Sequence, residues 1–325
     1  TPKLIPLSKG ILMQTDFGRD LYDDLMSLTV GDESPFYFQD FLLDDKSYRI
    51  FNYRLASYSD FLKRNALECR GHMFEITSDS KYIRLAALQP EKFFNNNENP
   101  FVMNLDFSKT SLIMDKMDGS IMTSFSHHDN LMLKSKGSLV SEQGAAANEW
   151  LKFKAPPSLI NFLNYMMFSG NSVSLEWTAP QHRIVLPYQE ASLTVLCARS
   201  ISNGQYVSYD SLHKDMEEFG CLEYLVLDHL ATIDDPIKFV ENIHNERNIE
   251  GYVIFADGKF TKHKTDWYVA LHRSKDSVAS DKRLYEVVVN EAHDDLRAMF
   301  SDDAYLIGRI DEMETLVKNA YTSIK

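Results

Sequence analysis

The stretch from Glu250 to Ala256, followed by Asp257-Gly258 and then Lys259 to Val269, constrains the fold more than any other part of the chain. Two runs with strand character flank a dipeptide suited to the tight turn of a hairpin, so an antiparallel ribbon is expected here. Register decides what the ribbon can do, because alternate residues of a strand share a face. A two-residue loop at Asp257-Gly258 pairs Glu250 with Thr265 and turns Glu250 away from Lys262 and Lys264. A three-residue loop that includes Ala256 pairs Glu250 with Lys264 and gathers the acid with both lysines. A functional reading of the ribbon therefore expects the second register, or a bulge.

Further strands are predicted at Tyr48 to Tyr53, Leu67 to Ile76, Val173 to Thr178, Arg183 to Tyr188 and Leu193 to Ala198. The segment before Tyr48 reads as helix and loop. Helices are predicted from Glu142 to Glu149, from Pro157 to about Ser169-Gly170, and after Asp235-Pro236. Beyond Leu271 apolar residues recur at three and four: Leu284, Val287 and Val288, then Leu296 and Met299, then Ile310, Met313 and Val317. The fold class is α+β, with antiparallel sheets flanked by helices over 1–270 and a small all-helical domain over 271–325. A chain of 325 residues with 44% hydrophobic content suits one large domain plus a small one.

Candidate chemistry centres on Lys116-Met117-Asp118-Gly119-Ser120, set between Leu112-Ile113-Met114 and Ile121 to Phe125. A lysine amine is almost wholly protonated at neutral pH, so an attacking lysine needs neighbouring cations or desolvation. Lys-x-Asp-Gly alone also describes a solvated turn. Lys134 and Lys136 lie on one face of the strand that returns after Ser126 to Asn130, where a solvated edge is the plain alternative. Glu176, between Leu175 and Trp177, is an acid in an apolar strand and needs a partner or a ligand. His127-His128 fall in an exposed turn with no third ligand in register, so no metal site is read there. Cys69, Cys197 and Cys221 are far apart, which argues against zinc and disulfides.

The formal charge of -13 argues against a protein that coats nucleic acid through bulk electrostatics. Between Lys259 and Arg283 the balance reverses, and phosphates are expected there. No apolar run is long enough for a bilayer, and Thr1 to Pro6 lack a signal-peptide layout, so a cytoplasmic protein with no membrane partner is expected.

Taken in order, Leu67-Glu68-Cys69-Arg70-Gly71, the Lys116 stretch, Lys134-Ser135-Lys136-Gly137-Ser138, Leu175-Glu176-Trp177, Ile249-Glu250-Gly251 and Lys262-His263-Lys264 resemble the motif series of the lysyl-adenylate nucleotidyltransferases. Tyr53 with Ala56 to Asp60, Glu91-Lys92-Phe93-Phe94-Asn95, Arg183 to Leu186 and Asp294-Asp295-Leu296 resemble the ATP-dependent RNA ligases of T-even-type bacteriophages, the type-one RNA ligase family. The resemblance runs from about Tyr48 to about Tyr305.

It implies a nucleotidyltransferase domain and an enzyme that joins RNA 5′-phosphate and 3′-hydroxyl ends. Lys116 would take AMP from ATP, pass it to the RNA end, and release it when the ends join. Lys262 and Lys264 would lie nearest the α-phosphate, with Arg70, Lys92 and Lys136 as further phosphate cations. Glu176 would bind the ribose and Glu250 would serve the divalent metal, while Tyr53 and Tyr268 would line the nucleotide pocket. Asp294 and Asp295 would hold Mg2+, with Mn2+ as a substitute. Asp118 matches a catalytic position and is expected to pair with a cation or magnesium. The implied partner is RNA in the infected cell's cytoplasm, bound by a monomer. Because the helical region is shorter than in the family, tRNA is an expectation of lower rank than general RNA repair. Alternatives are a DNA ligase, a capping-type nucleotidyltransferase, or a noncatalytic protein that binds RNA ends.

Overall fold

The structure, a computed structural model, describes residues 16–290 and 292–324. The opening residues read above for a signal peptide lie outside the described residues. The chain forms two compact units. Unit 1 holds the chain up to Lys92 together with Ile121–Leu175 and Val195–Leu225; unit 2 holds Phe93–Ser120, Glu176–Thr194 and the chain from Val226 onward.

The strands are β1 (Phe36–Leu43), β2 (Lys46–Tyr53), β3 (Met73–Ile76), β4 (Tyr82–Ala87), β5 (Phe94–Asn95), β6 (Thr110–Asp115), β7 (Ser120–His127), β8 (Asn130–Ser135), β9 (Asn171–Thr178), β10 (Ser192–Ser200), β11 (Gly251–Ala256) and β12 (Lys259–Lys264). They make three four-stranded sheets in the orders β1-β2-β3-β4, β10-β9-β7-β8 and β5-β12-β11-β6. The third sheet belongs to unit 2, where β11 pairs antiparallel with both β12 and β6, and the short β5 pairs with β12 in parallel. The helices are α1 (Phe17–Leu28), α2 (Glu142–Phe153), α3 (Pro157–Phe168), α4 (Tyr209–Phe219), α5 (Pro236–Asn242), α6 (Asp266–Ala279), α7 (Asp281–Val289), α8 (His293–Met299) and α9 (Ala304–Ile324).

Burial follows the sheet faces. In unit 1, Tyr48 and Ile50 of β2 pack with Met73 of β3 and Phe125 of β7. In unit 2, Ile113 of β6 and Ile254 of β11 are fully buried with Ile243, and each such side chain contributes about 1.5–3 kcal/mol through the water it no longer meets. The C-terminal helices close their own cluster around Val278, Leu284, Phe300 and Ile310.

Four expectations need correction. Phe36–Leu43, read as helix and loop, is strand β1; its apolar residues fall on both faces, most of them exposed or half-buried, so its sequence carries little hydrophobic alternation. Only Met73–Ile76 of the stretch from Leu67 is strand, since a short 3-10 turn at Ala66–Glu68 and Gly71 at φ +83 bend the chain first. Arg183 to Tyr188 is a loop after the 3-10 turn Pro180–His182. Finally, β12 stops at Lys264 because Thr265 caps α6 by accepting the Tyr268 N–H, so Tyr268 is helical.

The hairpin register also differs from the functional expectation. Ala256 pairs with Lys259 and Gly251 with Lys264, leaving the two-residue loop Asp257-Gly258 with both residues at positive φ. The Thr265 N–H accordingly donates to the Glu250 carbonyl at 3.0 Å.

Candidate active site

Lys116 follows β6 directly, and its backbone N–H donates to the Gly251 carbonyl at 2.9 Å, which ties the lysine to the start of β11. Its Nζ lies 2.7 Å from Glu250 Oε1, and Lys264 Nζ lies 3.1 Å from the same oxygen. Glu250 is only 3% exposed, whereas Lys116 and Lys264 keep 20% and 32% of their side-chain surface. A carboxylate so deeply buried needs partners, and it has two ammonium groups.

The observed register alone would turn Glu250 away from Lys264. Gly251 resolves the conflict. It sits at φ +144, and a Cβ there would lie 1.9 Å from the His263 carbonyl oxygen. This backbone geometry is open to glycine and strained for any other residue. It lets Glu250, just ahead of the strand, bring its carboxylate to Lys264 without a shift of the ladder.

Asp118 is buried and organises the lysine turn. Its Oδ2 accepts the N–H groups of Val185 at 2.8 Å and Leu186 at 2.7 Å, and its Oδ1 accepts the Tyr268 hydroxyl at 2.7 Å. Its own N–H donates to the Tyr188 hydroxyl at 3.1 Å. The partners that the structure gives this carboxylate are thus two amides and a phenol, with the Lys275 charge acting on it as well. Burial first, then the charges of Glu250 and Asp118 and the bond to Asp118, push the Tyr268 hydroxyl up. Burial pushes Tyr188 up to about 12, so both phenols keep their protons. The Gly119 N–H donates to Glu176 Oε1 at 3.1 Å, and a Cβ on Gly119 would meet the Trp177 carbonyl at 2.3 Å. The turn is therefore held at Lys116, Asp118 and Gly119.

Beside the loop that Asp118 holds lies a cleft of about 520 Å³, lined by Arg183, Leu186, Tyr188, Trp267 and Phe300 among others. Lys262 shares a strand face with Lys264, and its ammonium lies 4.9 Å from the Phe93 ring centroid. Asp294 and Asp295 occupy the first turn of α8 and are exposed; Asp294 lies 3.4 Å from Arg297.

Unit 1 gathers the other cations. Lys136 and Lys92 lie 5.5 Å and 5.9 Å from the Tyr53 ring centroid. Burial, then Arg70 and then Lys92, push the Lys136 ammonium down, so these cations are close enough to repel one another. Lys134, for which a solvated edge was the plain alternative, is fully buried: its Nζ donates to the Ser135 carbonyl at 2.9 Å. Burial, then Arg70 and Lys136, push it down to about 7.

Arg70 stands between two residues of a buried ionic network. Glu68 accepts Arg199 at 2.7 and 2.8 Å, and its Oε2 lies 2.6 Å from His72 Nε2. Burial pushes the Glu68 carboxyl up, but the hydrogen bonds from Arg199 and His72 prevail and hold it at about 2. Gln89 Nε2 donates to the Arg70 carbonyl at 3.3 Å. The peptide that carries Arg70 is thereby fixed.

Of the candidates named from sequence, unit 2 brings together Lys116, Glu250 and Lys264, with Asp118, Tyr268 and Glu176 bracing the turn. Unit 1 brings together Tyr53, Arg70, Lys92 and Lys136. Sequence reasoning missed Tyr188, the Glu68–His72–Arg199 network and the burial of Lys134. The signal for Gly251 was present, since a glycine inside a strand pattern marks close backbone approach.

The profile of the RNA ligase family matches residues 68–271, and that of the T4 RNA ligase 1 C-terminal domain matches residues 275–324. The chain belongs to the RNA ligase family. Among its relatives, a putative RNA ligase of Thermovibrio ammonificans is 22% identical over 262 residues, 78% of this chain and 66% of that protein. RNA ligase 1 of bacteriophage TS2126 is 32% identical over 99 residues, 30% of this chain and 24% of that protein. A putative bifunctional polynucleotide kinase/RNA ligase of Autographa californica nuclear polyhedrosis virus is 21% identical, with 78% and 38% covered. The chain thus spans less than two thirds of the length of each of these relatives.

Among solved structures, this RNA ligase family member is similar to a putative ATP-dependent DNA ligase from Aquifex aeolicus, with a TM-score of 0.52 at 13% identity over 91% of this chain and 76% of the other. It is also similar to an archaeal ATP-dependent RNA ligase, with a TM-score of 0.51 at 9% identity over 90% and 77%. Such likeness shows the fold, and the α+β architecture of antiparallel sheets flanked by helices expected from sequence is the one observed.

Proposed function

We propose that the chain is an ATP-dependent RNA ligase that joins 5′-phosphate to 3′-hydroxyl ends through lysyl-AMP on Lys116. The observation that carries this reading is the single Glu250 oxygen shared by Lys116 and Lys264 in a family of RNA ligases. The Lys116 nitrogen attacks the α-phosphorus of ATP, a P–N bond forms, and pyrophosphate leaves. An oxygen of the RNA 5′-phosphate then takes the AMP from the lysine, and a 3′-hydroxyl displaces AMP to form the phosphodiester. Each displacement depends on positioning and on neutralising phosphate charge.

In this arrangement Lys264 and Lys262 serve the α-phosphate, and Arg70, Lys92 and Lys136 serve the other phosphates. Glu176 is assigned to the ribose, and Tyr53 and Tyr268 to the nucleotide pocket. Asp118 acts by position, holding the turn that carries Lys116. Attack needs the Lys116 amine released from Glu250 and without its proton. Glu250, and separately Asp294 and Asp295, offer the hard carboxylate oxygens that suit magnesium or manganese, which when bound neutralises phosphate charge. The proposal places this machinery in residues 1–270, followed by the helical region 271–325. It extends to a monomer working on RNA in the cytoplasm, tRNA included among the substrates to test. Among the described residues no helix is long and apolar enough to cross a membrane.

The test is mass spectrometry for an AMP adduct on Lys116 after incubation with ATP or with GTP, compared with Lys116→Ala, followed by 5′-phosphorylated RNA or DNA. An ATP-dependent adduct on Lys116 that is discharged by RNA supports the reading. Labelling by GTP, discharge by DNA alone, or an adduct that survives Lys116→Ala overturns it.

A further inference from the structure

Two hairpin tips in unit 1 meet. One is Asp44-Asp45, between β1 and β2, where Leu43 pairs with Lys46; the other is His128-Asp129, between β7 and β8, where His127 pairs with Asn130. Asp44, His128 and Asp129 all carry positive φ, at 52°, 47° and 60°. Read along the chain, the two histidines have no third ligand, because Asp44 lies more than eighty residues upstream. The fold supplies it. One donor atom each from Asp44, His127 and His128 lie within 4.8 Å of one another.

The geometry points to a binding site for a divalent transition cation of the zinc type, formed by Asp44, His127 and His128. Its donor set is two imidazole nitrogens and a carboxylate oxygen, which suits zinc, cobalt or nickel and not the oxygen-seeking magnesium or calcium. Asp45, whose Oδ1 lies 2.7 Å from His128 Nε2, or a water can complete a tetrahedron. The ligands are graded in exposure. His127 has 6% of its side chain exposed, while His128 has 44% and Asp44 73%, so a fixed ligand is paired with two that can close on an ion from solvent.

His127 is also oriented from behind. The Tyr48 hydroxyl lies 2.9 Å from Nδ1, and Nε2 lies 2.9 Å from Asp44 Oδ2. If the phenol donates to Nδ1, Nε2 carries the ring proton, which moves to Nδ1 when a metal takes Nε2, the phenol oxygen then accepting the Nδ1–H. If Nδ1–H donates to the phenol oxygen, two lone pairs face each other across that gap and a cation belongs between them. A hydrogen bond to the second ring nitrogen is the support that metal-binding histidines ordinarily have. Donors around a zinc ion stand roughly 3.3 Å apart at bond lengths near 2.0 Å, so the observed cluster needs only side-chain adjustment. The ion would stitch sheet β1-β2-β3-β4 to sheet β10-β9-β7-β8 at their tips. This role is separate from end joining.

The test uses the full chain, stripped with a chelator and held in excess magnesium so that weak carboxylate sites are occupied. Titration calorimetry with Zn2+ should give one saturable site per chain, and Co2+ should give the visible absorption of a tetrahedral complex. Tyr48→Phe should lower the Zn2+ affinity by about 10- to 100-fold. The exposed pair Asp44→Asn with His128→Ala should lose it by about 100-fold or more, and zinc should raise the melting temperature of the parent chain but not of this variant. His128→Ala alone serves if the pair fails to fold. Absence of saturable Zn2+ binding, or equal affinity in the substituted chains, overturns the site.

Discussion

Glu250 Oε1 lies 2.7 Å from Lys116 Nζ, so the lysine proposed as the nucleophile is held by a buried carboxylate. The contact keeps the amine in position, and in the reaction proposed above it opens before attack. Since the same oxygen meets Lys264, one side chain governs the separation of two cations.

Glu250→Gln removes the charge and keeps the shape. Lys116 and Lys264 then lose the charge of a carboxylate that is only 3% exposed, so stability should fall by about 1–3 kcal/mol. Formation of the AMP adduct should fall by about 100-fold or more, since the carboxylate no longer sets the lysines or offers an ionised oxygen to a cation. Urea unfolding beside adduct kinetics checks both halves; an unimpaired adduct rate would refute the assignment.

Gly251→Ala should be far more disruptive than its size suggests. The added methyl would stand 1.9 Å from the His263 carbonyl oxygen, at a φ of +144 that alanine resists. A loss of about 2–4 kcal/mol is expected from overlap and backbone strain together. Denaturation that leaves the midpoint unchanged would contradict this account of how Glu250 is aimed.

Asp118→Asn tests whether this carboxylate acts by position. An amide can still accept the N–H groups of Val185 and Leu186, but must offer its NH2 to Tyr268. About 1–3 kcal/mol of stability should be lost through weakened bonds around the turn. Adduct formation should slow without a change in its metal dependence; a shifted metal requirement would place Asp118 on the cation instead.

Lys134 gives stability a pH dependence. Its ammonium is pushed down to about 7, mainly by burial and then by Arg70 and Lys136, against an ordinary value near 10.5 when unfolded. Between those values the unfolded chain holds a proton that the folded chain has shed, so the contribution of this residue to stability rises as pH climbs from about 7 toward 10.5. It is lost as pH falls to about 7. Lys134→Met should flatten that rise in urea titrations at pH 7, 8 and 9. An identical slope in both chains would reject the buried-amine interpretation.

Local patterns carried much of the architecture. Alternation found β9 and β10, a Pro-Pro start found α3, and Asp235-Pro236 found α5. Some of the misses have a deciding partner that is distant in sequence. Arg183 to Leu186 looks like a strand, but Asp118, 67 residues earlier in the sequence, takes the Val185 amide. Thr265-Asp266 carried a helix-start signal that the preceding alternation masked. The site was legible as a set of residue types in order. Its division between Lys116 with Lys264 in one unit and Arg70 with Lys136 in the other was not, because spacing along the chain says nothing about which sheet receives each strand.

The bend at Gly251 makes the acid and the glycine one inseparable part. Grafting Glu250 and Lys264 onto a borrowed ribbon with the same tight loop would send the acid to the wrong side, however faithful the lettering elsewhere. A designer wishing to transplant this arrangement would have to move the contorted peptide with it, and could then leave the ladder of the host untouched.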